Sequence, residues 1–201
     1  MLNDPGLDNA FVHAAGVDVG GRLVLLVGAS GSGKSTLTAL LVSRGHRMLG
    51  DDVLRFSTQN AFFNVVPRSL KLDVNSFKYI DIRVSESEYS ARGIFLAAST
   101  VYVSPVALCT EWEALPGRPW AVVVLDGTPH TGMAGLERRG EGGAAVRLIQ
   151  SVLGAEHRTG TDAVPATRLR LLESVGGAVA YEARGADPLA LADLIESEAR
   201  A

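Results

Sequence analysis

The run Leu23-Val24-Leu25-Leu26-Val27, followed at once by Gly28-Ala29-Ser30-Gly31-Ser32-Gly33-Lys34-Ser35-Thr36, constrains this chain more than any other stretch. A continuous apolar run of that length reads as a strand buried on both faces. The glycines permit a tight turn, and Leu37-Thr38-Ala39-Leu40-Leu41-Val42 supplies the apolar part of a helix. A strand, a glycine-rich turn and a helix N-terminus in that order gather backbone N–H groups at one point. The helix dipole adds positive potential there, so the turn is an anion site. The residues fit the pattern G-x-x-x-x-G-K-[ST] at every fixed position. In that pattern the lysine, here Lys34, reaches the β/γ-phosphates of a nucleotide, and the hydroxyl that follows, here Ser35, ligates Mg²⁺. The expectation is a nucleoside triphosphate or polyphosphate site over Gly28 to Thr36.

The rest of the composition narrows what can be built around that turn. A chain of 201 residues suffices for one domain with a sizeable core, so a single domain over 1–201 is expected. Apolar residues make up 47% and charged residues 20%, the balance of an ordinary globular protein. The net charge of -3, with no basic tract, argues against a nucleic-acid partner. Cys109 is the sole cysteine, which rules out an internal disulfide and a cysteine metal cage. In its apolar surroundings it reads as a small core residue. Met1 to Ala10 is acidic and polar, unlike a signal peptide. The apolar stretch Ile94 to Cys109 is broken by Ser99, Thr100, Ser104 and Pro105, unlike a membrane span. The expected location is the cytoplasm.

Along the chain, Phe11 to Val19 and Arg22 to Val27 read as a hairpin turning at Gly20-Gly21 and running into the glycine loop. The helix from Lys34 to Arg44 stops at Gly45. His46 to Leu49 reads as a strand ending in Gly50-Asp51-Asp52. A second hairpin is expected from Val53 to Ser57 and Ala61 to Val66, with Pro67 ending it. Arg68 to Ser99 carries a mixed pattern. Val101 to Val103 and Trp120 to Leu125 read as strands, and Gly135 to Gly143 as a polar surface loop. Ala144 to Leu153 and Arg168 to Val175 have helical spacing, with a strand at Ala178 to Ala183. Asp187-Pro188 then provides an N-cap and a first-turn proline for a closing helix, Leu189 to Glu198. The expected fold is α/β, strand-rich in its first part and helical at its C-terminal end.

Asp51-Asp52 is the second chemical feature. In enzymes with such loops an acidic residue at a strand end holds Mg²⁺, directly or through water. Adjacent residues at a strand end project to opposite faces, so one acid can serve the metal while the other faces an acceptor. A charged turn is the bland alternative, and the loop upstream weighs against it. His13 on an apolar strand, taken alone, reads as a satisfied histidine with no special chemistry.

Taken together, Gly28 to Ser35, Arg44-Gly45-His46-Arg47 and Asp51-Asp52-Val53 resemble the catalytic domain of the HPr serine kinase/phosphorylase family. In that family a histidine-bearing strand precedes the loop at the spacing of His13 to Gly28, and a strand delivers paired aspartates. Its wider superfamily includes phosphoenolpyruvate carboxykinase, and its smaller members include lasso-peptide kinases. The resemblance implies ATP and Mg²⁺ as cofactors. Gly31, Gly33, Lys34 and Ser35 would hold the polyphosphate and metal, within a binding run that also includes Gly28, Ala29, Ser30, Ser32 and Thr36. Asp51 would bind Mg²⁺ with Ser35. Asp52 would take the proton from an acceptor hydroxyl, His13 would assist, and Lys34 would meet the transferred phosphate. Which aspartate is base and which is metal ligand stays open in the sequence.

The acceptor implied is a serine on a peptide or protein, or a small hydroxyl metabolite. A homo-oligomer is open on the family's precedent. The chain departs from the family in two respects: about ten residues precede its first expected strand, where the family carries an extra N-terminal domain, and a later segment differs. A later glycine-rich acidic segment, tied to metal binding and reverse phosphorolysis, is not evident, and Pro67-Arg68-Ser69-Leu70-Lys71-Leu72 stands near its position. There Arg68 and Lys71 can be phosphate or acidic-substrate contacts, or solvated strand-edge charges. No guanine-reading Asn-Lys-x-Asp and no Leu-Ser-Gly-Gly signature occurs, which sets aside regulatory GTPases and transporter ATPases. A nucleotide-binding regulatory module without phosphotransfer is the competing class.

Overall fold

The apolar run at 23–27 lies at the centre of the molecule, because both of its faces need cover. The computed structural model describes residues 9–80, 88–126, 133–140, 148, 152–153, 163–185 and 187–201. In chain order the first elements are β1 (Asn9–Val12), β2 (Ala15–Val19), β3 (Arg22–Gly28), α1 (Lys34–Ser43), β4 (Arg47–Gly50), β5 (Leu54–Ser57), β6 (Phe62–Asn64) and β7 (Leu70–Asp73). After a 3-10 turn at Val74–Tyr79 come β8 (Ile94–Ala97), β9 (Thr100–Val103), the short helix α2 (Pro105–Leu108), β10 (Ala121–Leu125) and β11 (Gly135–Arg139). The last described elements are β12 (Val152–Leu153), α3 (Ala163–Val175), β13 (Val179–Arg184) and α4 (Pro188–Arg200).

A six-stranded sheet in the order β11-β13-β10-β3-β2-β4 forms the backbone of the fold. β10 runs parallel to both β3 and β13, and β2 and β11 pair antiparallel with their neighbours. The two-residue period of a strand splits β3 between two cores. Leu23, Leu25 and Val27 join Val12, Leu54, Phe56, Phe63 and Leu171 under the four-stranded sheet β12-β1-β5-β6. Val24 and Leu26 join Leu37, Leu40, Leu41, Leu191 and Ile195, the inner faces of α1 and α4. Leu25 has no exposed surface, so Leu25→Ala should cost about 2–5 kcal/mol.

α1 is apolar nearly all round because it is covered twice. Its Ala39 and Val42 pack against Leu70, Leu72, Ile94, Val101 and Val103 of a three-stranded sheet, β7-β9-β8. This arrangement sets the third sheet beside the N-terminus of α1, across from the glycine turn. α4 begins as its sequence predicts, with Asp187 Oδ1 accepting from the Leu189 N–H at 3.0 Å. It is also tied to the far end of α1. Arg44 Nη1 donates to Asp193 Oδ1 at 2.8 Å, and His46 Nε2 lies 2.9 Å from Glu196 Oε1.

Three expectations change. The strand expected over Phe11 to Val19 is broken at His13-Ala14: β1 pairs with β5 and β12, while β2 pairs with β3 and β4. Alternation alone cannot show that one extended run serves two sheets. Gly135 to Arg139, expected in a polar loop, is an edge strand against β13. There Arg139 pairs with Glu182 and Arg184 with Glu137 across the strands, while Leu136 packs against the second core. The helix expected over Ala144 to Leu153 falls mostly outside the described residues, but its end, Val152–Leu153, is a strand paired with β1. The strand expected at Ala178 to Ala183 is present as β13, inside the main sheet between β11 and β10. Cys109 is half-buried against the third core. Among the described residues, no helix is long and apolar enough to cross a membrane.

Candidate active site

The glycine turn leaves β3 where that strand runs tightly against its parallel neighbour β10. Gly28 is registered opposite Leu125, the last residue of β10. A Cβ at Gly28 would collide with the Leu125 carbonyl oxygen and lie 2.6 Å from Ser32 Oγ, so the approach requires glycine. Gly33 caps α1 with φ +93°, a left-handed conformation that other residues rarely adopt. No side chain caps the helix, and its first turn carries no acid. The N-terminal N–H groups therefore remain available to an external anion.

Lys34 is the first residue of α1 and only 5% exposed. Its Nζ donates to the carbonyls of Gly28 and Ala29 at 2.8 and 2.9 Å. Burial lowers its pKa, and the charges of Asp52 and Asp51 oppose that shift. A desolvated ammonium held by two carbonyls is poised to exchange them for a stronger anionic partner.

The aspartate pair diverges at the end of β4. Asp51 turns inward, 3% exposed, and receives a hydrogen bond from the Ser35 hydroxyl. Burial pushes its pKa up to about 6 against that hydrogen bond. Its Oδ1 is buried with no hydrogen-bond partner, as is Ser32 Oγ in the turn above. Asp52 takes φ +66° and turns outward. It meets His13, which stands at the break between β1 and β2. His13 Nδ1 lies 3.0 Å from the Asp52 carbonyl oxygen and 3.1 Å from its carboxylate Oδ1. Both partners only accept, so Nδ1 carries the proton that is shared between them.

These groups open on one cleft of about 770 Å³. Of the turn, Ser30, Gly31, Gly33, Lys34, Ser35 and Thr36 line it, together with Asp51 and Asp52. Gly28, Ala29 and Ser32 shape the turn from behind, and His13 reaches the cleft through Asp52. The opposite wall is made by Arg68, Lys71, Asp73, Ser76, Thr100 and Tyr102, from β7, β9 and the segments before and after β7. Arg68 and Lys71 were visible in the sequence as charges near a strand. The pairing of Lys71 with Tyr102 brings the distant tyrosine to the same wall, and no local pattern announces that. Asp126 follows β10 directly, beside the entry to the turn, and was passed over although an apolar run ending in an acid was there to read.

The family match covers the turn, the aspartate pair and His13. Residues 7–83 match the family model of the HPr Serine kinase C-terminal domain. The chain is 35% identical over 109 residues to the HPr kinase/phosphorylase of Bordetella avium, covering 52% of this chain and 35% of that protein. It is 35% identical over 112 residues to the HPr kinase/phosphorylase of Leptothrix cholodnii, covering 53% and 34% respectively. The match thus spans about a third of the length of these curated relatives. A solved structure, the Hpr(Ser) kinase/phosphatase from Coxiella burnetii, covers 94% of this chain and 96% of its own at 15% identity, with a TM-score of 0.43.

Proposed function

We propose, from the match of residues 7–83 to the HPr Serine kinase C-terminal domain model, that the cleft transfers the γ-phosphoryl group of ATP to a serine hydroxyl. The observation that carries this reading is the convergence of an uncapped helix N-terminus, a buried lysine and two differently placed carboxylates on one cleft. A binding module needs only the first two.

Each residue then has a distinct task. The N–H groups of the turn and Lys34 hold the β/γ-phosphates, with Thr36 next to them. Ser35 and Asp51 fit a divalent cation, since a hydroxyl and a buried carboxylate oxygen without a partner are hard donors suited to Mg²⁺. Mg²⁺, when bound, neutralises phosphate charge. Asp52 lines the cleft and acts as the base. The serine O–H gives its proton to the Asp52 carboxylate, the serine oxygen bonds to the γ-phosphorus, and the bond to the bridging oxygen breaks to release ADP. His13 donates to Asp52 and holds its carboxylate in place, a positioning role. Most of the acceleration comes from alignment and charge neutralisation, with the base adding to it.

Asp52→Asn tests this division. It keeps shape and cannot take a proton. Phosphoryl transfer to an acceptor, or slow ATP hydrolysis with water in its place, should fall roughly 10²–10⁴-fold. Affinity for Mg-ATP should stay nearly unchanged. Normal turnover by the variant would make the aspartate pair structural.

A further inference from the structure

The cleft has two kinds of charged lining. Lys34 is held by the Gly28 and Ala29 carbonyls, Asp51 by Ser35, and Asp52 by His13. Asp73 accepts from the N–H and side-chain amide of Asn75 at 2.8 and 2.9 Å. Arg68 and Lys71 differ. Both are exposed to the cleft, and among the described residues neither has a hydrogen-bond or ion-pair partner. They also stand on a prepared surface. Lys71 registers with Tyr102 and Tyr102 with Phe95, so the three side chains form a row on the outer face of the β7-β9-β8 sheet. The opposite face, with Leu70, Val103 and Ile94, is buried against α1.

We infer that Arg68 and Lys71 form a second anion site, which binds a carboxylate carried by the phosphoryl acceptor close to its hydroxyl. The inference rests on the kinase reading for the identity of the acceptor. The phosphates of the nucleotide already have the turn N–H groups and Lys34 on the near wall. A guanidinium and an ammonium on the far wall, free of partners, call for a separate anion, and Arg68 can meet a carboxylate with two parallel hydrogen bonds. An ionised Asp52 would repel an acidic acceptor, and the two cations offset that repulsion. Tyr102 and Phe95 extend the same wall with apolar surface for the rest of the acceptor. The carboxylate can come from an acidic residue of a peptide or from a small hydroxy acid.

The test uses the full chain with Mg²⁺ and a non-hydrolysable ATP analogue. Three short peptides carry one serine flanked by Asp, Asn or Lys, and free serine is titrated beside them. The wild type should bind the Asp peptide about tenfold more tightly than the Asn peptide, and the Lys peptide least. Arg68→Glu combined with Lys71→Glu should reverse the order, with affinity for the nucleotide analogue within about twofold of wild type. Free serine binding more tightly than the Asp peptide, and losing this in the variant, would identify the small molecule as the source of the carboxylate. Equal binding of all ligands by the wild type, including none, would overturn the site. So would a variant that loses nucleotide affinity and keeps its peptide order, since the cations would then serve the nucleotide. Selective binding of the Asp peptide without any phosphoserine formed from ATP would leave the anion site standing and remove the kinase reading.

Discussion

The two walls of the cleft are built in opposite ways. The near wall comes from one unbroken stretch, Gly28 to Thr36, plus Asp51 and Asp52, which follow β4. Its ionisable groups are buried or held by a partner, and two of its polar atoms, Asp51 Oδ1 and Ser32 Oγ, are buried with none. The far wall is assembled from segments about thirty residues apart in the chain, and its cations are exposed and, among the described residues, without a partner. Buried, unsatisfied groups are costly to maintain, commonly about 1–3 kcal/mol each, and strained wiring of this kind marks a ligand site. Exposed cations cost little and select among ligands. The near wall is therefore suited to chemistry and the far wall to specificity.

The largest expected effect is on the near wall. Lys34→Ala removes the buried ammonium that sits on the turn, and Mg-ATP affinity or turnover should fall roughly 10²–10³-fold with the fold intact. Isothermal calorimetry and circular dichroism would check both halves. Unchanged binding by a folded variant would erase the contrast between the walls.

Asp51 gives a pH-dependent effect of the next size. Its folded pKa of about 6 lies above the ordinary value of 3.8, so the folded state holds the proton longer than the unfolded chain. Metal-free stability should then be higher near pH 4, decline as pH rises towards 6, and level off above it. Asp51→Asn stays neutral and should lack this decline. At pH 7 without Mg²⁺ it should be more stable than wild type by about 2–3 kcal/mol, and near pH 4 it should match it. Urea titrations at both pH values would show the difference, and parallel profiles would mean that Asp51 is not held at a cost.

The smallest effect lies outside the cleft. Asp193 is 69% exposed where it pairs with Arg44, so Asp193→Asn should change stability by less than about 1 kcal/mol. A larger loss in thermal melts would show that the docking of α4 on α1 supports the turn more than its exposure suggests.

The same contrast explains what could be read from the sequence. The turn, α1, the aspartate pair and the capped start of α4 are local: each is set by residues adjacent in the chain. The far wall depends on β7 pairing with β9, a register that no short pattern encodes. His13 shows the boundary between the two. Its spacing from Gly28 was legible, while its place at a break between two sheets, with Nδ1 on Asp52, follows from tertiary pairing. The edge strand Gly135–Arg139 was missed because its cross-strand charges look like a loop when read alone.

The central claim is that the turn and α1 bind a polyphosphate with its metal. Calorimetric titration of the wild type with ATP, ADP and AMP, each with and without Mg²⁺, tests this most directly. The expected result is one-to-one binding that weakens from ATP to ADP, is lost or nearly lost for AMP, and is strengthened for ATP by Mg²⁺. AMP binding as tightly as ATP, or no binding of any of the three, would contradict it.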